Sequence, residues 1–83
     1  MTYFVYLLSN NKNKKLTTYV GYTNNLEKRI NLHNKGKGAK FTKGRIWKLI
    51  YYEKYSTKRK AILRECYIKQ NRKLRNSIKE KYK

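Results

Sequence analysis

Residues 2–25 read "TYFVYLLSNNKNKKLTTYVGYTNN". The segment 2–9 is rich in aromatic and β-branched side chains and predicts a strand. Residues 10–15, "NNKNKK", are turn-rich, and "LTTYVGY" at 16–22 predicts a second strand, so the two form a hairpin. With the turn centred on Lys12 and Asn13, Tyr6 and Tyr19 stand directly opposite each other, with Cβ atoms ~5 Å apart on one face. A cross-strand aromatic pair that only stabilises the sheet is one reading of these phenols. A chemical role is the other. After the hairpin, Asn24 is placed to cap a helix, with Glu27 three residues on in the capping-box position.

Beyond this stretch, Leu26, Ile30 and His33 recur at helical spacing through "LEKRINLHN" (26–34). "KGKGAKFTKG" (35–44) is a glycine-punctuated basic loop. "IWKLIYYEKY" (46–55) predicts a third strand, and "STKRKAILRECYIKQ" (56–70) a helix begun by Ser56 or Thr57. "NRKLRNSIKEKYK" (71–83) predicts a last helix. The order is β-β-α-β-α-α. The simplest closure is an α/β (α+β) fold: one domain over residues 1–83 with a small, three-stranded, mostly antiparallel sheet flanked by helices.

A chain of 83 residues buries only ~60% of its unfolded surface, so its site is expected on an open face or in a shallow groove. Lys and Arg number 23 against four acids, all of them Glu, for a net charge of +19. So dense a positive field calls for a polyanionic partner, with nucleic acid ahead of an anionic membrane surface. An A·T-rich coding bias would enrich Lys, Asn and Tyr, but it would also raise Asp, which is missing. Cys66 stands alone, which excludes an internal disulfide and fits a reducing, cytoplasmic setting. No apolar run approaches the ~18 residues of a membrane span. The N-terminal apolar patch has no basic segment before it and reads as the first strand rather than a signal segment.

Arg29 and His33, four residues apart, share a helix face beside the Leu26–Ile30 stripe. Arg29 lies at the border of the buried face, within reach of the tyrosines; a solvated arginine and a structural histidine are the plain alternatives. Ala61, Glu65 and Ile68 fall on one face of the later helix, with Ile62 and Cys66 extending its apolar surface. A carboxylate in such a stripe is costly unless paired, so Glu65 is either half of a buried Glu–Arg pair or a metal ligand. Glu27 reads as a cap, Glu53 ends the third strand and Glu80 lies in the last helix. These acids cannot supply the carboxylate cluster of a two-metal nuclease, nor is there a Cys/His set for zinc. A single hard ion keeps most of its waters and needs few protein ligands.

These residues resemble the GIY-YIG nucleases, in particular their short, single-domain subgroup. "FVY" (4–6) stands at the first motif and "YVG" (19–21) at the second. "LEKRINLHNKGKGAKFT" is similar to the Arg-x-x-x-His helix and its Gly-Lys-Gly-Ala-Lys loop. "LIYYE" and "AILRECYIK" resemble the third strand and the Glu-bearing helix. The first motif departs from the family, with Phe4-Val5 in place of Gly-Ile, but keeps the Tyr6 hydroxyl. The resemblance implies a metal-dependent endonuclease that hydrolyses phosphodiester bonds in DNA with a single Mg²⁺ or Mn²⁺. Tyr6 and Tyr19 become the paired motif tyrosines, Arg29 the catalytic arginine, Glu65 the metal ligand, and His33 a histidine found in many members. Gly21 becomes the motif glycine, expected to admit a backbone phosphate where no Cβ stands. Lys35, Lys37 and Lys40 are expected to contact nucleic acid. The polar residue that follows the Glu helix in larger members falls on Asn71 or Asn76. A non-catalytic nucleic-acid-binding module on the same fold is the alternative.

Overall fold

In a computed structural model, described here for residues 1–10, 17–38 and 46–82, the elements run β1 (Tyr3–Asn10), β2 (Thr17–Thr23), α1 (Leu26–Asn34), β3 (Lys48–Tyr55), α2 (Lys58–Gln70) and α3 (Arg72–Tyr82). The sheet is antiparallel, in the order β2-β1-β3. This is the expected α+β architecture with the expected element order.

The strand β1 lies in the middle and is covered on both sides, which explains its unbroken apolar run "FVYLL". Val5 and Leu7 point to one side, where Val20, Ala61, Ile68 and Ile78 complete a core beneath α2 and α3. Tyr6 and Leu8 point to the other, where they pack with Trp47, Tyr19 and the Leu26–Ile30 stripe of α1. The sheet is thus the middle of three layers, and apolar burial on both of its faces drives the association. Between Leu7 and Leu8 the pairing with β3 slips, from Leu7↔Tyr51 to Leu8↔Leu49, which leaves Ile50 as the extra residue of a bulge.

The hairpin register differs from expectation. Tyr6 pairs with Gly21 and Tyr19 with Leu8, so the two tyrosines are diagonal neighbours rather than direct partners. A shift of two residues keeps both on the same face, because side chains alternate with period two. The postulated turn at Lys12 and Asn13 lies outside the described residues. Helix starts move by one residue or settle on one candidate. Asn25, not Asn24, caps α1 by accepting from the Lys28 amide at 3.1 Å, and Glu27 then lies in the first turn, where the helix dipole favours an acid. Thr57, not Ser56, caps α2. Cys66 is exposed rather than part of the apolar surface.

Two polar clips fasten β3 to the rest. The Asn34 side chain accepts from the Trp47 amide at 2.6 Å and donates to its carbonyl at 3.3 Å, while Asn10 Nδ2 donates to the Ile46 carbonyl at 2.8 Å. These bonds tie the end of α1 and the end of β1 to the chain entering β3. The second clip is Glu53. Its carboxylate takes both arms of the Arg64 guanidinium, at 2.8 and 3.0 Å, and accepts the hydroxyls of Tyr51 and Tyr55. Alternation along β3 puts Tyr51, Glu53 and Tyr55 on the α2 side, where Arg64 meets them. Burial would push the Glu53 carboxyl up, yet the hydrogen bonds from Arg64 and the two phenols outweigh it and hold the group below the ordinary carboxylate range.

A folded-state pKa below the unfolded one contributes stability that is present above the unfolded value, near 4.5, and is lost as pH falls through the folded value. Thermal melts taken downward from pH 6 are therefore expected to show an acid loss of stability beginning near the ordinary Glu pKa. In Glu53→Gln that loss should flatten while the pH 6 melting point drops.

Candidate functional site

The site is built where the three layers meet along β2, which is an edge strand of the sheet. Tyr6 reaches it from the central strand with 1% of its surface exposed. Its phenol lies across Gly21, the residue paired to it. A Cβ on Gly21 would stand 2.4 Å from Tyr6 Oη, 2.6 Å from Cζ and 3.2 Å from Cε2 of Tyr19. Glycine is therefore required here to seat the Tyr6 phenol. That differs from the expectation that it clears space for a phosphate.

Helix α1 supplies the next two groups from one face. His33 is wholly buried, and its Nε2 lies 2.9 Å from Tyr6 Oη. The imidazole also stands edge-on to Tyr19, with ring centres 5.0 Å apart. Arg29, one turn earlier, sets its positive charge near the Tyr6 phenol and reaches the Gly38 carbonyl with Nη2 at 3.5 Å. Its Nε is buried without a partner among the described residues.

The chain after α1 folds back over this pair. Gly36 takes a positive φ of 76°, which turns the backbone. Gly38 then passes so close to the imidazole that a Cβ would lie 2.4 Å from His33 Nδ1. Gly36 and Gly38 thus have separate steric reasons, one a turn and the other a close approach. Lys35 and Lys37 are exposed and do not line the cleft, and Lys40 lies outside the described residues.

Glu65 arrives from α2, in the opposite layer. Together with Tyr6, Tyr19, Gly21 and Arg29 it lines a cleft of about 420 Å³. The cleft also takes Tyr3, Asn24 and Lys58, none of which sequence reasoning placed in the site. A signal for Lys58 was present: it lies seven residues before Glu65, two helical turns away on the same face. Nothing comparable pointed to Gly38, because spacing along a loop does not say which side chain it crosses. Of the two asparagines, Asn71 caps α3 by accepting from the Leu74 amide, and Asn76 is exposed; neither lines the cleft.

Among the described residues Glu65 is not half of a Glu–Arg pair. Its side chain is 14% exposed, and Oε1 lies 3.4 Å from Nζ of the far more exposed Lys69. Among the described residues the Glu–Arg pair belongs to Glu53 and Arg64. Among the described residues no three His, Cys or acidic side chains come together as a ligand cluster. Glu65, the carboxylate that lines the cleft, is a donor suited to a hard cation, which needs few protein ligands because it keeps most of its waters.

The titrating groups are tuned by burial. Burial pushes the Tyr6 phenol up to about 12, against the pull of the Arg29 guanidinium. Neighbouring cations alone would make Tyr6 more acidic, but burial outweighs Arg29. Burial, helped by Arg29, pushes His33 below its ordinary value. At neutral pH both groups are therefore uncharged.

The family model of the GIY-YIG catalytic domain matches residues 2–82. The chain belongs to the GIY-YIG family. It is 51% identical to the UPF0213 protein CPE1444 of Clostridium perfringens, over 93% of this chain and 88% of that one. It is 50% identical to the UPF0213 protein YazA of Bacillus subtilis, over 86% of this chain and 70% of that protein. The solution NMR structure of the UPF0213 protein BH0048 from Bacillus halodurans superposes with a TM-score of 0.56 at 32% identity, covering 96% of this chain and 84% of that one. The GIY-YIG domain places the chain in a nuclease family, whose domains act on nucleic acid. Among the described residues, no helix is long and apolar enough to cross a membrane.

The close fit of Tyr6 over Gly21 gives a stability test. Gly21→Ala is expected to cost ~1–3 kcal/mol through overpacking. Combining it with Tyr6→Phe, which removes the nearest clashing atom, should cost less than the sum of the two single changes in a double-mutant cycle of denaturant melts.

Proposed function

We propose that this GIY-YIG domain is an endonuclease that hydrolyses phosphodiester bonds in DNA with one divalent ion. The observation that carries the proposal is the convergence of Tyr6, Tyr19, Arg29 and Glu65, from both helical layers, on one open cleft. Glu65 would hold Mg²⁺ or Mn²⁺. When bound, the ion would polarise the scissile phosphate and acidify a water. The side chains do the rest. The cleft is open enough for a backbone phosphate, and Arg29 and Lys58 set positive charge against it. Tyr6 relays a proton. The Tyr6 oxygen lies 2.9 Å from His33 Nε2, and a phenol that donates there forms a two-step path from water through Tyr6 to a neutral imidazole. A phenol at about 12 serves better as relay than as resting base, and His33 becomes the terminal acceptor. Tyr19 packs against His33 and orients the attacking water.

The Lys69–Glu65 pair gives a wild-type carboxylate a cationic neighbour before any metal arrives. The pair is surface-accessible on the Lys69 side and weak enough to yield to a divalent ion.

The proposal is tested on paired preparations with labelled duplex, single-stranded and branched DNA and with RNA, in Mg²⁺, Mn²⁺ or EDTA. Glu65→Gln is expected to melt like wild type and to lose cleavage. Tyr6→Phe should lower kcat by about 10²–10⁴. Activity should fall as pH drops through a value below 6.5, since the acceptor imidazole must be neutral and its pKa is depressed. A folded Glu65→Gln variant that cuts at the wild-type rate would remove Glu65 from the site. Cleavage-free binding in every metal would instead favour a binding module.

A further inference from the structure

A second hollow opens directly beside the cleft. It has a volume of about 580 Å³ and lies between Thr17–Val20 of β2 and the junction of α2 with α3. Tyr19 lines both hollows, one on either side of the residue. On α2 the transition is equally short: Glu65 faces the cleft, and Lys69, one turn on, faces the hollow. The two spaces are therefore consecutive segments of one path along the edge strand. From Gly21 back to Thr17 the strand covers about 13 Å at ~3.3 Å per residue, and a duplex strand advances ~3.4 Å along the helix axis per nucleotide.

The chemistry of the hollow is one-sided. Lys69, Arg72, Arg75 and Lys79 line it, no carboxylate does, and Thr17 and Thr18 add hydroxyl groups. Arg75 is fixed in place by donating to the Ile68 carbonyl at 2.9 Å and to the Lys69 carbonyl, the open end of α2. Carbonyls hold this guanidinium without neutralising it. A site with convergent cations and hydroxyl donors is built for the oxygens of a phosphodiester backbone, since phosphate contacts position a strand without reading its sequence.

We infer that this groove binds the backbone of the nucleic-acid strand whose scissile phosphate occupies the cleft, several nucleotides to one side of the cut. The assignment rests on the nuclease reading for the role of the cleft, but the groove's own affinity for phosphates does not depend on cleavage. It also gives a use to α3, which the catalytic constellation leaves without one. Contacts would run from one strand edge outwards, so the footprint is asymmetric about the cut.

The test separates this groove from the overall charge of the chain. Arg72→Gln/Lys79→Gln keeps two aliphatic stems and removes two charges from the groove. Lys48→Gln/Lys54→Gln removes two exposed charges from β3, away from both hollows. Binding of a fluorescent DNA duplex is measured by anisotropy in EDTA over a salt series, after thermal melts confirm that both variants fold. The groove variant should bind about tenfold more weakly at 0.1 M salt, with its log–log salt slope shallower by roughly 2, while the β3 variant loses at most about twofold. Equal losses in the two variants would overturn the groove. In Mg²⁺, KM should rise for the groove variant with kcat unchanged, whereas a drop in kcat alone would place these residues in the chemistry and overturn the assignment. Absence of cleavage in wild type would remove the nuclease reading and leave the anisotropy comparison to decide the groove.

Discussion

The Tyr6 phenol occupies the space that Gly21 leaves empty, and the site's geometry follows from that fit. A buried phenol oxygen without a partner would cost ~1–3 kcal/mol. Here it is met by His33, and this fixes how α1 sits on the sheet. The buried imidazole in turn forces the following chain to pass over it as glycine, at Gly38. Three sequence-distant glycine and aromatic positions are thus linked by one steric requirement that begins on the central strand.

Much of this could be read in the sequence, and the misreadings have physical causes. The element order followed from alternation, helical spacing and turn residues, because each segment is locally consistent with its place. The register did not, because "NNKNKK" lacks a residue pair that imposes one hairpin turn, such as Asn-Gly. Asn24 and Asn25 are both competent caps, and only the path of the chain out of β2 chooses between them. Glu65 stood out through the scarcity of acids, whereas the Glu53–Arg64 clip joins residues eleven apart across two elements. No spacing rule pairs a strand with a helix in that way. The raised Tyr6 phenol was not legible either, because the depth of a side chain in a two-sided core does not show in a sequence.

The few acids of this basic chain are sharply divided in their duties. Glu53 accepts from two arms of Arg64 and from two phenols, so its coordination is filled by the fold. Glu27 sits at the start of α1, where the helix dipole holds it. Glu65 keeps a long contact to a largely exposed lysine and faces an open cleft. That difference in saturation makes one carboxylate a structural clip and leaves another with capacity for a ligand. Sequence composition alone gives both the same weight.

The strand β1 carries both cores, with Val5 and Leu7 facing one layer and Tyr6 and Leu8 the other. The two helical layers therefore grip opposite faces of one and the same strand. Detaching α1 would expose the same strand whose far side holds α2 and α3, so the layers open together or hardly at all. For a domain this small, the relay geometry and the folded state share one cooperative unit. A substitution at a buried position of β1 therefore reaches the site and the opposite core together.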